Sequence, residues 1–102
     1  MTIKKLLISN RGEIASRIIK SAHDMGITCV AIYTEADKNT PYVREADQSF
    51  KLSDSYLNAK EILEIAKKNN VDAIHPGYGF LSENANFANN VKKAGIKWVG
   101  PS

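Results

Sequence analysis

Short apolar runs alternate with amphipathic stretches of helical length along nearly all 102 residues of the chain. That alternation constrains the fold more than any other property. Lys5-Leu-Leu-Ile-Ser9 reads as a first strand buried on both faces. Gly12 to Met25 carries the helical period, with Ile14, Ala15, Ile18, Ala22 and Met25 on one stripe and Glu13, Arg17, Lys20, Ser21 and Asp24 on the other. Gly26 stands where a left-handed residue ends a helix. Thr28–Tyr33 is a second strand rich in β-formers. Pro41 suits the first turn of a short helical segment running from Thr40 through Ala46.

Gln48–Leu52 is a third, shorter strand. Asn58-Ala-Lys-Glu61 resembles a capping box and opens a helix whose Ile62, Leu63, Ile65 and Ala66 face inward, ending near Asn69-Asn70. Val71–Ile74 is a fourth strand. Ser82 can cap the next helix, in which Ala85, Phe87, Ala88, Val91 and Ala94 form the apolar side and Gly95 the stop. Lys97-Trp-Val99 is a fifth strand, closed by Gly100-Pro101. Such alternation implies right-handed βαβ units. The expected fold is therefore α/β: a Rossmann-like, open, mostly parallel five-stranded sheet with helices on both faces, one domain spanning residues 1–102. Function in such sheets gathers at the carboxyl ends of the strands, which here means the loops after Ser9, Tyr33 and Ile74.

Composition excludes several classes of partner. With 43% hydrophobic and 25% charged residues the chain is neither disordered nor membrane-spanning. A net charge of +3, carried by lysine pairs no longer than Lys4-Lys5, Lys67-Lys68 and Lys92-Lys93, is too diffuse for a nucleic-acid surface. Cys29 is the sole cysteine and reads as an inert core thiol within Thr28–Tyr33. A strand begins almost at the N-terminus, so no signal peptide is expected; a cytoplasmic location is. His23 and His75 lack a spaced set of Cys, His or Asp, so no metal site is expected.

Three loops remain as candidates. Asn10-Arg11-Gly12-Glu13 has one glycine where a dinucleotide fingerprint needs three, which rejects that type of site. Read locally, Gly12 permits a tight strand-to-helix turn, Asn10 could cap the helix and Glu13 favours its positive end. Glu35-Ala-Asp37 reads as a solvated turn. After the fourth strand, His75-Pro-Gly-Tyr-Gly-Phe-Leu-Ser-Glu-Asn84 places Tyr78 and Phe80 between glycines that free the backbone. On physical grounds this loop is either an aromatic platform for a small planar ligand, with Glu83 in the first turn of the next helix as the nearby acid, or a hydrophobic plug. His75 reads as hydrogen-bonded structure.

Two of these segments are specific in combination. Ser9–Ala15 is similar to the Ala-Asn-Arg-Gly-Glu-Ile-Ala motif of biotin carboxylases, and His75–Asn84 matches that family's second signature, continuing through Ala85-Asn-Phe87. Tyr33–Asp37, Ser55-Tyr-Leu-Asn58 and Gly100-Pro101 resemble it too, so the likeness spans essentially the whole chain. It implies the N-terminal domain of an ATP-grasp ligase that uses ATP, Mg²⁺ and bicarbonate to carboxylate biotin on a carrier domain. Tyr78, Gly79 and Phe80 would then approach the biotin ring, with Glu83 near the same pocket. Asn10, Arg11, Gly12, Glu13 and His75 would be structural members of the motifs.

The resemblance also implies what is missing. The family's ATP-binding lysines, metal-binding glutamates and catalytic arginine belong to later domains, so no catalytic residue, metal ligand or cofactor is expected in this chain, which should be inactive alone. Its partners would be the remaining ATP-grasp domains of the subunit, the biotin carboxyl carrier domain and a carboxyltransferase component. A homodimer is expected through Arg17, Lys20 and Asp24, where Lys20 replaces the usual Arg and Asp24 the usual Glu. Ser9 replaces a usual Ala, and Lys51-Leu-Ser-Asp54 is shorter than the family's corresponding segment. Two other readings compete. A free-standing α/β binding or signalling domain, such as a receiver-like module, would want an acidic pocket at the strand ends, where strand one offers Ser9-Asn10 and no acidic pair. The equivalent domain of another ATP-grasp ligase would lack the aromatic loop at Tyr78–Phe80.

Overall fold

The computed structural model describes residues 2–101; Met1 and Ser102, the ends of the expected 1–102 domain, lie outside it. Its strands are β1 (Lys5–Ile8), β2 (Thr28–Tyr33), β3 (Gln48–Lys51), β4 (Ala73–His75) and β5 (Lys97–Trp98). Between them run α1 (Gly12–Asp24), a 3₁₀ turn at Glu35–Asp37, α2 (Pro41–Glu45), α3 (Ala59–Lys68) and α4 (Ala85–Lys93). The strands hydrogen-bond in the order β3-β2-β1-β4-β5, and every pairing is parallel. Among the described residues no helix is long and apolar enough to cross a membrane.

Strand β1 sits at the centre, with Leu6 opposite Cys29 on one side and Ala73 on the other. Its side chains alternate between two cores. Leu7 joins Val30, Ile62, Phe87 and Trp98 on the α3/α4 face, while Leu6 and Ile8 join Ala15, Ile19 and Tyr42 on the α1/α2 face. Cover on both faces is why the strand reads as a continuous apolar run. Phe87 and Trp98 meet edge to face at 5.6 Å between centroids.

Three helices end in the same way. After α1, the Gly26 N–H donates to His23 O and the Ile27 N–H to Ala22 O; Asn70 and Val71 repeat the pattern after α3, as do Gly95 and Ile96 after α4. Each is a Schellman motif with a positive-φ residue at the turn and an apolar residue beyond it. These stops correct one expectation: the helix ends at Asp24, so Met25 leaves the helical phase and is 76% exposed. Ile19 takes the buried place in the stripe.

Two caps also differ. Arg11, not Asn10, occupies the N-cap of α1 without a side-chain cap bond. Asn84, not Ser82, caps α4 by accepting the Phe87 N–H at 2.8 Å. Asn58 caps α3 as expected, but Glu61 turns away to accept from the Ser53 N–H and hydroxyl rather than closing a reciprocal box. The pairs Glu13/Arg17 and Lys20/Asp24 do not reach ion-pair distance among the described residues.

Candidate functional site

The loops at the carboxyl ends of β1, β2 and β4 converge. Asn10 follows β1 and is 1% exposed. Its Nδ2 donates to Pro76 O at 2.7 Å and to Tyr78 O at 2.6 Å, while its Oδ1 accepts the Arg11 N–H at 2.8 Å. The side chain therefore braces the aromatic loop instead of capping a helix. Strand pairing explains the change, because β4 lies beside β1 and delivers the carbonyls of residues 76 and 78 to Asn10. The buried hydroxyl of neighbouring Ser9 has no hydrogen-bond partner among the described residues.

Arg11 points to the loop after β2. Its guanidinium grips Asp37 with Nε to Oδ2 at 2.6 Å and Nη2 to Oδ1 at 2.7 Å. Asp37, expected in a solvated turn, is buried. It also accepts from the Tyr56 hydroxyl at 2.5 Å, and that oxygen lies 2.6 Å from the Tyr42 hydroxyl and accepts the Thr34 N–H. Tyr42 in turn donates to Ile32 O at 2.9 Å. Bonding to Arg11 holds the Asp37 carboxyl below the usual carboxylate range, against the opposing effect of burial. Burial pushes the Tyr42 phenol up, so it stays a neutral donor. Glu35, two residues earlier, is exposed and pairs with Lys38 and Lys51.

The network ends under the aromatic loop. The Tyr56 ring packs against Phe80 with 5.3 Å between centroids. Gly77, Gly79 and Phe80 all have positive φ, and for Phe80 the angle of 47° is a strained conformation held by its surroundings. His75 Nδ1 accepts the Gly77 N–H at 3.1 Å, and burial lowers its pKa, so the neutral ring carries its proton on Nε2. Tyr78 is 78% exposed. It forms one lip of an apolar groove of about 520 Å³ whose walls include Ile14, Ile18, Met25 and Val99. Glu83 does not join this groove. It precedes α4 rather than lying in its first turn, is exposed, and lines a separate cleft with Asn89 and Lys92.

The glycines of the loop are not equivalent. A Cβ on Gly77 would sit 2.7 Å from Asn10 Nδ2 and 2.9 Å from Ile14 Cγ2, whereas one on Gly79 meets nothing within 4 Å. Gly79→Ala should cost only the left-handed penalty of about 1–2 kcal/mol. Gly77→Ala adds overpacking and should cost about 1–3 kcal/mol more. Urea unfolding of the two variants measures the difference; equal losses would mean Asn10 yields freely.

A family model described as biotin carboxylase, N-terminal domain, matches residues 2–102. The chain belongs to that family. Biotin carboxylase 1 of Bacillus subtilis is 52% identical over 105 residues, covering 98% of this chain but 23% of its own length. Human mitochondrial pyruvate carboxylase is 44% identical over 98% of this chain and 9% of its own. Among solved structures, the biotin carboxylase domain dimer of Hydrogenobacter thermophilus 2-oxoglutarate carboxylase, in complex with MgADP, ADP and bicarbonate, superposes with a TM-score of 0.95 at 43% identity. It covers 99% of this chain and 23% of that one. The chain thus spans about a quarter or less of the length of these relatives. Neither a receiver-like module nor another ATP-grasp ligase is supported.

Asp37, Tyr42 and Tyr56 are the residues that local sequence reasoning missed. Tyr56 lies within Ser55-Tyr-Leu-Asn58, a segment singled out only by its likeness to the family.

Proposed function

We propose that this biotin carboxylase domain forms the biotin-facing wall of a larger enzyme, with Tyr78, Gly79 and Phe80 as the facing residues. The carrying observation is the contrast within one loop. Tyr78 is exposed, yet the backbone beneath it is fixed by Asn10 from one side and by Phe80 on Tyr56 from the other. Order without burial is what a platform for a planar ring requires. The residues fit the bicyclic head of biotin: a phenol ring, mostly apolar groove walls and a neutral His75, with Arg17 as the charged side chain on the groove's wall. When bound, biotin supplies a ring nitrogen that accepts the carboxyl group. The loop's task would be to orient that ring and keep water from it.

ATP and Mg²⁺ do not fit this chain. Gly12 alone offers no phosphate cradle. Among the described residues the one group of three potential metal ligands includes a thiol, which Mg²⁺ does not favour. The full enzyme would bind nucleotide, metal and bicarbonate on its remaining ATP-grasp domains. The carrier domain and a carboxyltransferase component would be the further partners. Arg17, Lys20 and Asp24 project from the exposed side of α1 and pair with nothing among the described residues. That leaves them available for the homodimer contact, less firmly at Lys20, which lacks the bidentate geometry of arginine.

In the intact enzyme, Tyr78→Ala should lower biotin carboxylation about tenfold, equivalent to about 1.4 kcal/mol of lost ring contact. ATP affinity should hold within about twofold, since the ring makes no nucleotide contact in this reading. Steady-state carboxylation of free biotin and nucleotide titration give the two numbers. Equal loss of both would reduce the loop to structure.

A further inference from the structure

At the opposite, amino end of the sheet, three elements bring together side chains that no spacing in the sequence links. His23 lies in the last turn of α1, Cys29 opens the buried part of β2, and Asp47 immediately precedes β3. Their ligand atoms all lie within 4.8 Å of one another. His23 Nε2 is 2.8 Å from Asp47 Oδ2, and the Cys29 N–H donates to that same oxygen at 2.7 Å. The backbone bond holds the carboxylate near the thiol, and the helix stop at Gly26 turns the chain so that the imidazole reaches the carboxylate and lies within 4.8 Å of the sulfur. Cys29 is fully buried, whereas the His23 and Asp47 side chains are 39% and 45% exposed, so an ion has a way in from solvent.

We infer that His23, Cys29 and Asp47 form a binding site for a divalent transition-metal ion of the zinc class, with water in the fourth position. One sulfur, one imidazole nitrogen and one carboxylate oxygen suit a borderline-soft ion in tetrahedral geometry and disfavour calcium or magnesium. The existing hydrogen bonds already hold two of the three donors in place. Binding would break the His23–Asp47 hydrogen bond, the imidazole carrying its one proton on Nδ1 so that Nε2 takes the metal, and would form a metal–sulfur bond as the Cys29 thiol proton leaves to solvent. The site would clasp α1, β2 and the entry to β3, far from the aromatic loop, and it stands whether or not that loop faces biotin.

Cobalt(II) alone is the probe, titrated into the 102-residue chain under reducing conditions. One equivalent should produce a near-ultraviolet thiolate-to-cobalt charge-transfer band together with the visible bands of a four-coordinate ion, and zinc should remove both. Cys29→Ser should abolish the charge-transfer band. His23→Gln, at an exposed position where folding is not at risk, should weaken cobalt binding at least about tenfold, since even ligand-supporting groups are worth that much. Circular dichroism of the variants checks the fold. Absence of the charge-transfer band at excess cobalt would overturn the inference, as would a band that His23→Gln leaves unchanged.

Discussion

Asn10→Ala is expected to destabilise the domain by about 2–4 kcal/mol and to loosen the aromatic loop. The side chain makes three hydrogen bonds, two of them to carbonyls of residues 76 and 78. Pro76 is buried, so its carbonyl cannot turn to water, and an orphaned buried acceptor costs about 1–3 kcal/mol. The bonds to Tyr78 and Arg11 lie nearer solvent and contribute less. Urea unfolding should show the loss without a change in slope. Asn10→Asp tests the assignment further. An aspartate would keep the acceptor for Arg11 but set a carboxylate oxygen against two carbonyls, so it should be at least as damaging as alanine. Gly77→Ala should add less than its full cost in the Asn10→Ala background, because the clash with Nδ2 is gone.

Asp37→Ala should cost about 3 kcal/mol. It removes the bidentate partner of Arg11 and the acceptor of the buried Tyr56 hydroxyl, and bonds to a charged group are worth about 1.5–3 kcal/mol each. Because Arg11 remains half-exposed, water recovers part of its loss. A pH dependence accompanies the pair. The folded carboxyl titrates below its unfolded value of about 3.9, so its contribution is complete above that value and disappears as pH falls through the lower, folded value. Asp47 shifts in the same direction, chiefly through the Cys29 N–H, at a more exposed site and with a smaller effect. The wild-type unfolding free energy should therefore be flat near neutrality and decline below about pH 5. Glu35, held down to about 2 by Lys38 and Lys51, titrates over the same range at an exposed site where solvent screens its pairs. Asp37→Ala should therefore lessen the acid limb without removing it; an unaltered limb would mean the Arg11–Asp37 pair carries no net stability.

The architecture was legible because its physical causes are local. Parallel strands covered on both faces are unbroken apolar runs, and helices closed by Gly26 and Gly95 carry their stops in the sequence. The site was legible only in part. Asp37 reads as solvated because its partners, Arg11 and Tyr56, stand 26 and 19 residues away and no local period encodes them. Asn10 beside a helix start looks like a cap, and only the placement of β4 next to β1 converts it into a brace. The His23, Cys29 and Asp47 cluster is assembled from three elements and leaves no motif at all. For His75–Asn84 the physics of the residues left platform and plug equally open, and family likeness decided where to look. Tyr78 stands exposed, and Phe80, itself 43% exposed, rests against the Tyr56 ring.

The central place of β1 has a consequence for how the chain acquires its structure during synthesis. Leu6, Leu7 and Ile8 are made before every other strand of the sheet, and one edge of their strand is satisfied by residues 28–31 soon afterwards. The other edge waits for residues 73–75, as do the amides of Lys4 and Lys5, which donate to the Asp72 carboxylate. Until then a nascent chain presents an apolar strand with an open edge, the kind of surface that recruits foreign strands or chaperones. Ordering should accordingly arrive late and in one cooperative step, with pairing across so long a separation making it slow.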